Sequence, residues 1–239
     1  MGLAPFSDGT SPPGGWLKVM QKVDSGQEFP RSRVRVYIDG FNLYHAIAAL
    51  KDTRLKWLNF WKLSETFLRP GEALVEVNFF TAVLTWNYDK QQRHVNFIKA
   101  CETVGVNVHL ATFKNSYKTC MSFDRECKFF EEKQTDVAIA VRLVSDALTG
   151  QFDRAILVTA DSDQIPTVRF VAGLPSCKIS LIFPPGRKST ARDLGLAIDD
   201  RQELLPGRML TCLLPRTVFT ASGKAVAHMP STYLTPNLN

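Results

Sequence analysis

The stretch at residues 34–45, VRVYIDGFNLYH, constrains the fold more than any other part of the chain. Val34, Val36 and Ile38, with Tyr37 between them, have the β-branched, apolar composition of a buried strand. Asp39-Gly40 is a turn signal, and residues 41–50 then read as a helix with Leu43, Ile47 and Leu50 on one face. A carboxylate therefore stands where a core strand hands over to a helix. Ligands of open α/β sheets bind outside the carboxyl ends of the strands. That places Asp39 to act on something, with Asn42 one helical turn along. Asp before Gly also serves in plain turns and as a helix cap, so the functional reading needs further carboxylates at the same sheet end.

The rest of the chain alternates between strand and helix patterns. Residues 57–68 form an amphipathic segment ended by Pro70-Gly71, and LVEVNFFTAV at 74–83 is β-rich. Residues 88–103 predict a helix with Val95, Ile98 and Cys101 inward, and 106–113 a third strand. Residues 114–130 are polar and break the pattern. Residues 132–148 predict a long helix closed by Gly150, and AILVT at 155–159 a core strand. A helix follows at 165–171, with Pro166 in its first turn, and KISLIF at 178–183 reads as a fifth strand. Residues 193–205 are expected to be helical. Such alternation implies an α/β fold with a central parallel sheet. Its strands are expected near 34–38, 75–81, 106–111, 155–159 and 178–183, the first beside the fourth.

Three regions follow: a Pro-, Gly- and Ser-rich leader at 1–32, expected to be disordered, a folded domain at 33–205 and an irregular extension at 206–239. Met20 is an alternative start. No apolar run approaches the roughly 18 residues that span a bilayer, and the N-terminus carries no apolar signal segment, which together predict a cytoplasmic protein without a membrane partner. Five cysteines argue against a disulfide framework, and a net charge of +6 fits a polyanionic partner. No GxGxxG or P-loop pattern occurs, so no nucleotide cofactor is expected. A homo-oligomer is compatible with this composition.

AILVT runs directly into Ala160-Asp161-Ser162-Asp163, repeating the arrangement at Asp39. Adjacent strands would bring Asp39, Asp161 and Asp163 into one cleft. Asp136, early in the long helix, is the fourth candidate, with Lys133 and Glu132 three and four residues before it and on the same side of that helix. Crowded carboxylates repel one another unless a cation neutralises them. Hard oxygen ligands suit Mg²⁺ or Mn²⁺, and the chemistry this supports is metal-assisted attack of water on a phosphodiester. The competing assignments are a helix cap for Asp161-Ser162-Asp163 and a solvated helix face for Asp136.

YIDGFNLYH, EEKQTDVAIAVRLVSDA and FDRAILVTADSDQIP together resemble the NYN domain family, the LabA-like branch of the PIN-like nuclease superfamily. The resemblance covers about residues 33–200. It implies a three-layer α/β/α sandwich of flavodoxin-like topology and a metal-dependent ribonuclease acting on RNA. The family's acidic and Asn positions fall on Asp39, Asn42, Asp136, Asp161 and Asp163. Lys133 and Ser162, flanking these, are assigned to substrate binding. The cysteines depart from the pattern: some relatives carry a CxxC-type pair before the EEK stretch, whereas Cys120 and Cys127 here lack a standard zinc spacing and read as unliganded thiols.

Arg187, Lys188 and Arg192 follow the fifth strand at the sheet edge that carries the carboxylates, and read as contacts for RNA phosphates or as a solubilising loop. Trp86, Tyr88 and residues 90–93 offer weaker stacking and charge. His45, on the first helix, reads first as an exposed or otherwise satisfied histidine, and second as a residue that could approach the cleft. A haloacid-dehalogenase-type phosphatase is excluded, because position 41 is Phe where that chemistry needs Asp. The remaining rival is a non-catalytic RNA-binding or regulatory module that keeps an acidic pocket.

Overall fold

The computed structural model describes residues 32–120 and 125–234, with the backbone alone over 113–133. The leader at 1–31 and the last residues, 235–239, lie outside the described residues. The chain runs β1 (Ser32–Asp39), α1 (Gly40–Ala49), α2 (Phe60–Glu65), β2 (Glu72–Ala82), α3 (Tyr88–Thr103), β3 (Asn107–Cys120), β4 (Arg125–Lys133), α4 (Thr135–Leu148) and β5 (Arg154–Val158). It continues through α5 (Ile165–Ala172), β6 (Lys178–Phe183), α6 (Arg192–Leu196), β7 (Arg201–Glu203), α7 (Pro206–Leu210), β8 (Thr217–Phe219) and β9 (Ala225–His228).

Among the described residues, seven strands form one sheet in the order β4-β3-β2-β1-β5-β6-β7, parallel throughout except for the antiparallel β3–β4 pair. The first expected strand does pair with the fourth, β1 with β5, from Val34↔Arg154 to Ile38↔Val158. Alternation along these two strands divides the core between the faces of the sheet. Val34, Val36, Ile38, Ile156 and Val158 face one layer, where Leu43 and Ile47 of α1 and Phe60 and Leu63 of α2 are buried with them. Tyr37, Ala155 and Leu157 face the other, packed with Ile139 and Leu143 of α4 and Val168 and Val171 of α5. The result is the α/β/α sandwich.

Several expected boundaries shift. Residues 114–130, expected to be irregular, extend β3 and form β4, with a ladder from Thr112↔Lys133 to Cys120↔Arg125. This hairpin is defined by its backbone ladder at the sheet edge, and the polar composition of 114–130 gives no strand alternation to read. The long helix begins at Thr135, not at 132, because Gln134 adopts a left-handed conformation with φ 86° that ends β4 and starts the helix. Lys133 is therefore the last residue of a strand and shares no helix face with Asp136. Only six residues of the segment at 57–68 are α-helical, after a 3-10 turn at Thr53–Lys56. Residues 193–205 are not one helix: α6 ends at Leu196, and exposed β7 adds a short edge strand beside β6. The chain after Pro206, expected to be irregular, carries α7 and a β8–β9 hairpin that packs Val218 and Ala227 with Trp57 and Ala100.

Candidate metal centre

Asp39 closes β1 and is 3% exposed. It caps α1: its Oδ1 accepts the Asn42 N–H at 3.0 Å. The β1–β5 register sets Thr159 beside it, and the Thr159 hydroxyl donates to Asp39 Oδ2 at 2.8 Å. The same hydroxyl oxygen accepts the Asp161 N–H at 3.1 Å, and Asn42 Oδ1 accepts the Ala160 N–H at 3.0 Å. The loop after β5 is thereby tied to the loop after β1. Asp161 in turn caps a short 3-10 turn by accepting the Asp163 N–H at 2.9 Å. Asp136 arrives from the opposite side, in the first turn of α4, where the buried Gln164 donates to its carbonyl at 3.0 Å.

Three segments distant in sequence thus converge. Asp39, Asp136 and Asp161 each present a carboxylate oxygen, all within 4.8 Å of one another. Burial pushes the Asp39 carboxyl up to about 6, the Asn42 and Thr159 donors oppose the rise, and the charges of Asp136 and Asp161 add to it. Three hard oxygen donors, one of them on the buried and repelled Asp39, converge in a set that could hold a divalent cation. The triad opens into a cleft of about 310 Å³, also lined by Asn42, His45, Thr135, Arg187 and Thr190.

The remaining expected site residues divide between the cleft wall, the exposed surface and side chains outside the described residues. Asp163 is exposed and its carboxylate is outside the triad; its contribution is the backbone N–H held by Asp161. Ser162, Lys188 and Arg192 are exposed and do not line the cleft, whereas Arg187 is half-buried at its wall. The side chains of Lys133, Cys120 and Cys127 fall outside the described residues. Sequence reasoning missed Thr159, Thr135, Gln164 and Thr190. A hydroxyl immediately after a core strand was the available signal for Thr159.

On the other side of α1 lies a second cavity of about 410 Å³, over the face of the sheet that carries α1, α2 and α3. Phe41 lines both the cavity and the acidic cleft.

The model of the NYN domain matches residues 33–203. The chain is 25% identical to 6-hydroxy-3-succinoylpyridine 3-monooxygenase of Pseudomonas putida, over 78% of this chain and 71% of that one. A crystal structure of a protein of unknown function from Vibrio parahaemolyticus superposes with a TM-score of 0.50 at 18% identity, covering 79% of this chain and 99% of the other. That likeness is one of fold.

Proposed function

Since the chain belongs to the NYN domain family of the PIN-like nuclease superfamily, we propose that it is a metal-dependent ribonuclease of the LabA-like type, its nuclease domain at 33–205. The observation that carries this reading is the convergence of Asp39, Asp136 and Asp161 at the carboxyl ends of β1 and β5. These three would hold Mg²⁺ or Mn²⁺, which when bound supplies Lewis acidity and positive charge for a phosphodiester.

The chain's own residues supply the rest. Arg187, at the cleft wall, offers a guanidinium to a phosphate oxygen. Asn42 and Thr159 fix the two loops so that the carboxylates stay positioned when a strand enters. His45, exposed at the rim, offers a donor or an acceptor to the ribose-phosphate chain. Among the described residues no helix is long and apolar enough to cross a membrane, and we place the protein in the cytoplasm with RNA as its partner.

The test is cleavage of a labelled single-stranded RNA by the wild type and by Asp39→Asn, with and without Mn²⁺, alongside melting temperature. Metal-dependent cleavage lost in Asp39→Asn, with the fold retained, supports the reading. Equal cleavage and equal metal response by both proteins would remove the aspartates from the reaction, and RNA binding with no cleavage by either would hand the site to the non-catalytic RNA-binding alternative. A second reading, oxygenation of a substituted aromatic ring, follows the name of the Pseudomonas relative, and the apolar cavity against Phe41 favours it. Oxygen consumption with an added aromatic substrate and an added two-electron reductant such as a reduced nicotinamide, one oxygen atom entering the ring and the other leaving as water, in the absence of any RNA cleavage, would select that reading.

A further inference from the structure

The second cavity has a composition unlike the acidic cleft. Its floor is formed by the buried side chains of Leu43, Leu58, Phe60 and Phe79. Its mouth is framed by Tyr44 of α1 and by Tyr233, in the 3-10 turn at Ser231–Tyr233 near the end of the described chain. About 410 Å³ is within the range of small-molecule sites and large enough for one or two fused rings.

The charges at the mouth are of one sign. Lys56 places its ammonium 5.3 Å from the centroid of the Tyr44 ring and 6.0 Å from that of Tyr233. Arg93 is a hydrogen-bond partner of the Tyr233 side chain, and Lys90 completes the rim. No Asp or Glu lines the cavity among the described residues. Three cations over an apolar, aromatic floor select a ligand with a flat apolar body and a negative group at one end. One polar handle lies within: Thr81 Oγ1 and His94 Nε2 are hydrogen-bonded at 3.1 Å, and burial lowers the His94 pKa, so the imidazole is neutral at pH 7.

We propose that this cavity binds a planar aromatic ring carrying an anionic group, the ring between Tyr44 and the apolar floor and the anion at Lys56, Lys90 and Arg93. Two sources present that chemistry. One is a nucleotide whose strand continues past Phe41 into the acidic cleft, and this source rests on the nuclease reading. The other is a free aromatic acid. Burying a base on this side of α1 would seat the strand across the first turn of the helix, where Asp39 stands.

The test is calorimetric titration of the full chain with adenosine 5′-monophosphate and naphthalene-2-carboxylate, each beside its neutral twin, adenosine and naphthalene-2-carboxamide. The anionic rings should bind about tenfold more tightly than the neutral ones, and Lys56→Ala with Arg93→Ala should erase that difference. Tyr44→Ala, at a half-exposed position, should weaken both kinds of ligand. Displacement of the bound ring by a single-stranded RNA hexamer identifies the nucleotide source. Binding of the naphthoate that the hexamer fails to displace identifies the free acid. The same titrations on Asp39→Asn separate the two ideas: ring binding retained in a cleavage-dead protein, or in a wild type that never cleaves, supports the cavity site whatever the fate of the nuclease reading. No binding of either anionic ring, or equal affinity for charged and neutral twins, overturns the proposal.

Discussion

Thr159 donates its hydroxyl to Asp39 Oδ2 at 2.8 Å and, through the same oxygen, accepts the Asp161 N–H at 3.1 Å. One fully buried side chain therefore couples the carboxylate that ends β1 to the backbone that carries the second carboxylate after β5. Neither contact depends on a ligand, so two of the three carboxylates, Asp39 and Asp161, are held by the β1–β5 register itself.

Thr159→Val keeps the shape and removes the hydroxyl. It should cost about 1–3 kcal/mol, because the Asp161 N–H loses its acceptor and Asp39 one of its donors. Loss of a donor to the charged carboxylate should raise the Asp39 pKa further. Thr159→Ser should restore most of both effects. Thermal melts with and without Mn²⁺ check this, and a Val variant matching the wild type in both would remove Thr159 from the site.

The titration of Asp39 sets a pH dependence for the metal-free protein. Its carboxyl titrates near 6 in the fold against an ordinary 3.8. Between those values the folded state binds more protons than the unfolded one, so stability falls as pH rises from about 4 to about 6. The full loss above that window is about 3 kcal/mol for a group this buried. Asp39→Asn should flatten the curve there and melt higher than the wild type at pH 7 without metal. Added Mn²⁺ should reverse the order, since it stabilises the wild type by mass action and the variant less. Denaturant unfolding at a series of pH values measures the slope directly.

The strands that carry this site were legible because their composition and their chemistry coincide. VRVYID and AILVTADSD each show a buried strand ending in a carboxylate, and placing the first strand beside the fourth predicted the Asp39–Asp161 approach that the β1–β5 pairing delivers. Asp136 was legible as well, although its helix start was misplaced: the left-handed Gln134 that ends β4 leaves no trace in apolar periodicity. Asp163 stands apart from the other three, exposed and outside the triad, and an alternating Asp-x-Asp reads the same whether the second side chain faces the cleft or the solvent. In the turn that follows Asp161, the Asp163 N–H donates to the Asp161 carboxylate, a contact that apolar periodicity does not reveal. The β3–β4 hairpin and the edge strand β7 were missed because backbone pairing at an edge imposes little apolar pattern. The cavity behind α1 was missed because it assembles residues from α1, the following 3-10 turn, α3 and the chain near Tyr233.

Gly40 is required at the strand–helix junction by space. A Cβ there would meet the Phe80 carbonyl oxygen at 2.5 Å and Phe79 Cε2 at 2.6 Å. The ring end can move, but the carbonyl belongs to β2 and cannot move without disturbing the sheet. Gly40→Ala should cost about 1–3 kcal/mol and, by displacing the start of α1, should also weaken the response of melting temperature to Mn²⁺. A variant as stable and as metal-responsive as the wild type would show that the junction has room to give.

The basic loop should act through one residue more than the others. Arg187 lines the cleft, while Lys188 and Arg192 are exposed outside it. Arg187→Ala should weaken RNA binding and lower the salt slope by about one phosphate contact. Lys188→Ala should change both less. Filter-binding isotherms at several salt concentrations check the pair, and equal losses would assign the loop to diffuse charge.

The two aspartates after β5 should behave as unlike residues. Asp161 contributes an oxygen to the triad and caps the turn behind it, so Asp161→Asn preserves a cap acceptor while removing one charge from the candidate ligand set. The metal should then bind more weakly, melting temperature should respond less to Mn²⁺, and RNA cleavage should collapse as in Asp39→Asn. Asp163 lends the turn its N–H, which Asn also carries, and its exposed carboxylate lies outside the triad. Asp163→Asn should therefore keep the turn, the fold and the Mn²⁺ response, and lower cleavage only as far as its charge reaches a metal across solvent, where screening leaves little. Isothermal titration with Mn²⁺ on the two variants, run beside the cleavage assay, separates the outcomes. If Asp163→Asn loses metal binding as fully as Asp161→Asn, the ligand set is four carboxylates, and the loop after β5 must turn Asp163 inward when the cation arrives.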